Sequence, residues 1–211
     1  MRKIFILSVL LVTAHLVQAQ YAGYNPIADP AKFKDQFAAA SQKINSIKSD
    51  FVQEKNLSML SEKITSKGKF NFKKSSMVRM EYTSPYQYLM IINKDKVYVK
   101  DGQKENKVSA KSNKIFQQIN RIMIDCVQGT ALSNPDFKTR VFEGKSSYLV
   151  EMVPVTKGLK DMFKSITVAV DKKDFSVNTL DMLENSGDNT NIRFINKELN
   201  ANLADALFDI K

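Results

Sequence analysis

Residues 50–100 read DFVQEKNLSMLSEKITSKGKFNFKKSSMVRMEYTSPYQYLMIINKDKVYVK. Apolar side chains recur here every second position, the period of a half-buried strand. Phe51 to Met59, Ile64 to Phe72, Met77 to Thr83, Tyr86 to Ile92 and Lys96 to Lys100 read as five successive short strands. Gly68, Ser75-Ser76, Ser84-Pro85 and Asn93 to Asp95 fall at the bends and turns between or within them. Phe70, Phe72 and Lys74 share one face of their strand, whereas Lys67, Lys69 and Lys73 share the other. That is an apolar-in, basic-out sheet.

On either side of this block the period changes. Asp29-Pro30 supplies an N-cap and a proline at the first helical position, and Phe33, Phe37, Ala40, Ile44 and Ile47 follow at spacings of three and four. A second helical stripe comprises Ile115, Phe116, Ile119, Ile122, Met123 and Cys126, and Gly129 follows as its stop. Strand patterns then resume at Phe137 to Phe142, Tyr148 to Val155, Ser165 to Val170, Val177 to Glu184 and Asn191 to Leu199. The sum is about ten strands meandering in order, with one helix before them and one in their midst. No linker, repeat or low-complexity run divides them, so the expectation is a single domain. A long antiparallel sheet curls to manage its edges, and its concave face is where two amphipathic helices would bury their stripes.

The first nineteen residues stand apart. Arg2 and Lys3 precede an apolar run from Ile4 to Leu16, and Val17-Gln18-Ala19 ends it with small residues at the −3 and −1 positions. Residues 1–19 therefore read as a cleaved secretory signal, leaving residues 20–211 as the exported protein. The whole chain carries 32 basic against 22 acidic residues, and a net charge of +8 remains once Arg2 and Lys3 are gone. His15, the one histidine, leaves with the signal. A chain without histidine cannot build a Ser-His-Asp or Cys-His catalytic unit or a His-ligated zinc site. The single cysteine, Cys126, cannot form an internal disulfide and reads as a small buried hydrophobe on the apolar face of its helix.

Other constellations dissolve on inspection. Ser66-x-x-Lys69 matches a serine–lysine acylase spacing, but three residues apart in a strand places the two side chains on opposite faces. Asp181, Glu184 and Asp188 lack the ligand spacing of a calcium loop and read as an acidic hairpin tip. The basic residues are spread over the chain, which gives no nucleic-acid surface and suits encounters with anionic membranes or acidic partners. No metal or cofactor is implied. An apolar excess remains, in which Met77, Met80, Met90, Met152, Met162 and Met182 join the strand aromatics. Methionine suits either a packed core or an adaptable apolar cavity.

The chain resembles the periplasmic outer-membrane lipoprotein carrier (LolA) family. The resemblance rests on Asp50-Phe51-Val52-Gln53-Glu54, then Ser66-Lys67-Gly68-Lys69-Phe70-Asn71-Phe72, then Met77-Val78-Arg79-Met80-Glu81-Tyr82 running up to Pro85. The family reads F-x-Q, G-x-[FL] and an aromatic, basic third strand ending at Pro in these places. Leu159 to Phe163 with Ile166-Thr167-Val168, Asn189 to Phe194, and Leu203 to Phe208 are similar to its late strands and ending.

The resemblance implies an incomplete antiparallel β-barrel of about eleven strands closed by an α-helical lid, mainly β with some α. It implies a monomeric periplasmic chaperone, not an enzyme, that binds lipoprotein acyl chains in a hydrophobic cavity. Its partners would be an inner-membrane ABC transporter that releases lipoproteins and, at delivery, an outer membrane that admits a receptor. A lipid- or lipoprotein-sensing module on the same fold is the alternative. In this reading Phe51, Phe70, Phe72, Met80, Tyr82 and Met90 line the cavity, while Phe33, Phe37, Ile44, Ile115, Phe116, Ile119 and Met123 form the lid. Met80 stands where the family often has Trp. The family's lid-latching Arg falls on Lys74, with Arg79 the other candidate, and lysine lacks the planar multi-donor fork of arginine. Replacing Phe116 by Asp is expected to abolish lipid uptake. Unchanged uptake by a folded variant would remove Phe116 from the lid.

Overall fold

The computed structural model describes residues 21–74, 76–94, 96–102, 104–109 and 114–210, with the backbone alone for 104–109 and 114–120. The leader assigned to residues 1–19 lies outside the described residues. The chain forms β1 (Asn25–Pro26), α1 (Pro30–Gln42), β2 (Ser46–Leu57), β3 (Glu62–Lys73), β4 (Met77–Ser84), β5 (Tyr88–Asn93), β6 (Lys96–Asp101) and β7 (Lys104–Ser109). It continues with α2 (Lys114–Gln128), a 3-10 turn (Ala131–Ser133), β8 (Phe137–Glu143), β9 (Ser147–Pro154) and α3 (Lys157–Lys160). It ends with β10 (Phe163–Asp171), β11 (Val177–Glu184), β12 (Asn189–Leu199) and a 3-10 turn at Asp205–Phe208.

The strands make one antiparallel sheet in the order β1-β8-β9-β10-β11-β12-β2-β3-β4-β5-β6-β7. Nearly every neighbour is also a chain neighbour, as hairpin connections dictate. The exceptions are β12 beside β2 and the two-residue β1 beside β8. The sheet does not close, because β7 at one edge pairs with β6 alone. The passage from β7 to β8 takes the chain from that edge to the far side of the sheet, and it contains α2.

Alternation sends one face inward. Phe70, Met80, Met90 and Val99 are successive cross-strand partners over β3 to β6, and Ile192, Leu180, Val168 and Val150 are the same over β12 to β9. All of these except the half-buried Val99 are buried, in one core with Phe33 and Phe37 of α1 and with Ile122, Met123 and Cys126 of α2. Each such side chain contributes about 1.5–3 kcal/mol by leaving water. The outer face is strapped at two places. Tyr21 donates to Glu151 on β9 at 2.9 Å, and Tyr24 and Ser147 are 2.6 Å apart. At the other side Leu203 and Phe208 cover Ile91 and Tyr98, held by bonds from Lys73 Nζ to the Leu203 carbonyl (2.8 Å) and from Asn93 Nδ2 to the Phe208 carbonyl (3.2 Å).

Four readings of the sequence need correction. The first helix stops at Gln42, where the Lys43 and Ile44 amides turn back to Ala40 and Ser41. Ile44 therefore lies in the joint after α1, and Ile47 is already in β2, which starts five residues earlier than its pattern suggests. Tertiary pairing outweighs the helical spacing there, because Ser46 pairs with Lys73 and its hydroxyl donates to the Ala201 carbonyl at 2.5 Å. The charged strand β7 escapes the sequence pattern, since an edge strand pairs on one side and tolerates Lys and Glu. The two-residue β1 and the single-turn α3 are too short to leave a period. With β1 set aside, eleven strands of six or more residues remain among the described residues.

Gly68 lies inside β3 at a register shift against β4, directly opposite Phe51. A Cβ there would stand 2.1 Å from the Glu81 carbonyl oxygen and 2.6 Å from the Phe51 ring. The bare backbone thus provides the seat for that ring. Gly68→Val is expected to destabilise the fold by about 3 kcal/mol or more, because neither the strand nor the enclosed ring can move aside. Urea unfolding would measure it, and a loss under ~1 kcal/mol would mean that the seat is adaptable.

Candidate functional site

Beneath α2, at the end of the sheet formed by the β2–β3, β4–β5, β9–β10 and β11–β12 connections, lies a cavity of about 540 Å³. Its depth is apolar. Met80 and Tyr82 on β4, Tyr88 and Met90 on β5, Met182 on β11, Ile192 on β12 and Met123 on α2 converge there. Alternation explains the set: Met80 pairs with Met90, Tyr82 with Tyr88 and Met182 with Thr190, so each strand adds its inward residues. Five thioethers in its lining, with Met162 the fifth, leave it adaptable in shape. Polar groups lie toward the mouth, where Lys55 and Glu184 stand 3.5 Å apart as a half-exposed ion pair beside Asn185 and Ser186.

The electrostatics are quiet. Tyr82 donates to Gln53 Oε1 at 2.9 Å, and burial followed by its neighbour Tyr88 raises its phenol far above the ordinary range. Burial, then Asp101, raises Tyr88 as well. Both phenols stay neutral across physiological pH. The cavity therefore presents methyl groups, thioethers and aromatic rings, with the Lys55–Glu184 pair and Asp161 at the rim. Such a space suits a neutral apolar ligand and offers nothing to hold an anion at its base. Among the described residues no group of three or more His, Cys, Asp or Glu could hold a metal ion.

The structure separates the cavity residues read from the sequence. Met80, Tyr82 and Met90 line the cavity. Phe51 supports its wall from behind, with ring centroids of Phe51 and Tyr82 4.9 Å apart. Phe70 faces a smaller crevice under α2 with Ile47, Ser49 and Cys126, and Phe72 is sealed in the core. Met123 reaches both the cavity and that crevice. Phe33 and Phe37 are buried, Phe33 against Tyr148 at 4.5 Å, so α1 packs on the β9 side rather than over the cavity. Ile44 is buried in the joint after α1. Ile115, Phe116 and Ile119 lie on the first turns of α2, and their side chains are outside the described residues.

The two latch candidates differ in partner. The Lys74 ammonium donates to the carbonyl of Gln42, the last residue of α1, and its amide donates to the Asn45 carbonyl at 2.8 Å. A cation at a helix C-terminus meets unpaired carbonyls and the negative end of the dipole. Arg79 points outward, bonds Glu81 at 2.9 Å and reaches the Leu207 carbonyl at 3.3 Å, so it grips the C-terminal strap. Sequence reasoning left Gln53, Tyr88, Met162, Met182 and Ile192 out of the cavity. A signal existed for Gln53, whose position two residues after Phe51 turns a polar side chain inward.

The family model for the outer membrane lipoprotein carrier protein LolA matches residues 42–211. No sequence among the curated proteins matches the chain. An uncharacterized conserved protein from Thermus thermophilus shares the fold with a TM-score of 0.51 at 9% identity, over 85% of this chain and 93% of that one. A putative outer membrane lipoprotein-sorting protein domain from Vibrio parahaemolyticus gives 0.48 at 10% identity, over 84% and 95%. A LolA superfamily protein from Nitrosomonas europaea gives 0.44 at 10%, over 84% and 97%. At such identities the likeness concerns fold, and the functional level is set by the family match, which is to binding and carrier proteins for lipoproteins. The chain belongs to the LolA family of outer membrane lipoprotein carrier proteins.

Proposed function

We propose that the protein is a periplasmic carrier, without enzymatic activity, that shelters lipoprotein acyl chains on the way to the outer membrane. The observation that carries the reading is the 540 Å³ cavity with an apolar floor and a polar mouth. Residues 1–19 supply the export signal, and residues 20–211 the working protein. An ABC transporter of the lipoprotein-release type loads it at the inner membrane, and the outer membrane, with or without a receptor, accepts the cargo.

The energetics favour a moving roof. Sequestering a sixteen-carbon chain is worth on the order of 12 kcal/mol at ~0.8 kcal/mol per methylene, which alone would make release slow. Ile122, Met123 and Cys126 of α2 are buried against the sheet. Lifting α2 exposes that stripe unless an acyl chain replaces the sheet beneath it. The closed roof thus offsets part of the gain from ligand burial and leaves a smaller net affinity. Lys74, bonded to the end of α1, holds the neighbouring helix in place while α2 moves.

Added to spheroplasts holding labelled lipoproteins from a matched host, the protein is expected to release label as a soluble one-to-one complex. Folded protein that releases none would remove the carrier reading and leave the lipid-sensing alternative. Cys126 provides a second test. Burial, then Asp125, pushes its thiol up from 9.0 to about 12, which lowers the thiolate fraction at pH 8 about a thousandfold. Alkylation is expected to be slow at pH 8, to accelerate about tenfold per pH unit toward 12, and to change several-fold when cargo lifts α2. A fast rate independent of cargo would show that α2 does not cover the thiol.

A further inference from the structure

We infer that the β2–β3 hairpin tip is a membrane-docking element that turns the cavity mouth toward a lipid bilayer. Met59 and Leu60 at this tip are 90% and 68% exposed, two adjacent apolar side chains with nothing packed on them. Scattered exposed apolar residues are ordinary. This pair is distinguished by its position and by how it is held.

The hairpin overhangs the sheet on its β4 side, while on the other side β2 stays paired with β12 as far as Asn56 with Asn189. Glu62 to Ser66 of β3 pair with β2, but pairing with β4 begins only at Lys67 with Ser84. Five residues of strand rise ~17 Å, so Met59 and Leu60 stand well clear of the β4–β5 turn. The projection is also braced. The Ser58 amide donates to Asp188 Oδ1 at 2.9 Å, and the Ser58 hydroxyl lies 3.1 Å from the Ser186 carbonyl and 3.0 Å from Asp188 Oδ1. Ser186 itself lines the cavity. The apolar tip is thereby tied to the rim of the mouth, and a molecule held by the tip presents its cavity to the same surface.

The shape and charge of the tip choose the partner. A convex pair of side chains flanked by Ser58 and Ser61 enters a fluid interface without needing a complementary groove. The nearest lysines are neutralised, Lys63 by Glu54 at 2.8 Å and Lys55 by Glu184 at 3.5 Å. Attraction through this element is apolar and does not require anionic lipid. This goes beyond the carrier reading, because binding to an empty bilayer needs no cargo, and a failed release assay leaves it standing.

The test uses protein expressed from the full chain, purified after export, and zwitterionic phosphatidylcholine vesicles in flotation at low and high salt. The wild type is expected to float with the vesicles at both salt concentrations. The double variant Met59→Ser, Leu60→Ser is expected to bind at least ~30-fold more weakly, with an unchanged melting temperature because both side chains are exposed. The chain contains no tryptophan, so Leu60→Trp supplies a single fluorophore. Its emission is expected to shift to the blue with vesicles and to be quenched by brominated acyl chains. Unshifted emission, or wild-type binding that needs anionic lipid and survives the double substitution, would overturn the inference. The first result would leave the tip to a protein partner, and the second would assign membrane attraction to the overall positive charge.

Discussion

The concave face of the sheet is too apolar to face water, and the sheet cannot cover it by closing on itself. That constraint governs the rest of the structure. β7 ends the sheet on one side, so no hydrogen-bonded seam completes a barrel. Helices do the covering, and a helix is held over a sheet by side-chain packing, whereas a strand is also held by a ladder of backbone bonds. α2 is therefore the element that the proposed carrier function would move. The strands around it are locked, and α2 rests on them through Ile122, Met123 and Cys126.

The two helices divide the task unequally. Phe33 and Phe37 of α1 pack with Tyr148, and Lys74 bonds the carbonyl end of the helix, so α1 belongs to the body of the protein. Met123 of α2 reaches both the cavity and the crevice beside it. Two outer straps keep the frame rigid. Glu151, buried on the outer face of β9, accepts from Tyr21 and Arg140, and the C-terminal turn is gripped by Lys73, Arg79 and Asn93. Among the described residues α2 meets the sheet through apolar side chains and is tied at its end by bonds from Thr130 and Asn134 to Asp125, an arrangement that suits the proposed uptake of an apolar ligand.

Much of the sheet was legible because a half-buried strand writes its two faces into alternate residues. Phe70, Phe72, Met80, Tyr82 and Met90 declare an inward face at a period of two, and Gly129, at a φ of +73°, ends α2 where its pattern stops. The misses share a cause. Ile44 and Ile47 keep a helical spacing with Phe37, yet pairing of Ser46 with Lys73 pulls that stretch into a strand. β7 carries Lys, Glu and Asn because it borders the sheet, so its composition hides its pairing. Phe51 and Phe72 are as apolar as any cavity residue, and a one-dimensional pattern cannot tell a wall from the packing behind it.

The sequence by itself therefore determined the succession of most of the strands, their inward faces, the absence of histidine beyond His15 and the family signature in Phe51-x-Gln53 and Gly68-x-Phe70. Those properties are local or compositional, set by alternation and by which side chains are present. Only the tertiary structure decided that the space under α2 is a cavity and not a filled core, and that Lys74 reaches a helix end while Arg79 faces the strap. It also decided that Met59 and Leu60 stand exposed beside the mouth. Each of these depends on the register and curvature of strands far apart in the chain. Curvature decides whether inward side chains meet in the middle or leave room between them.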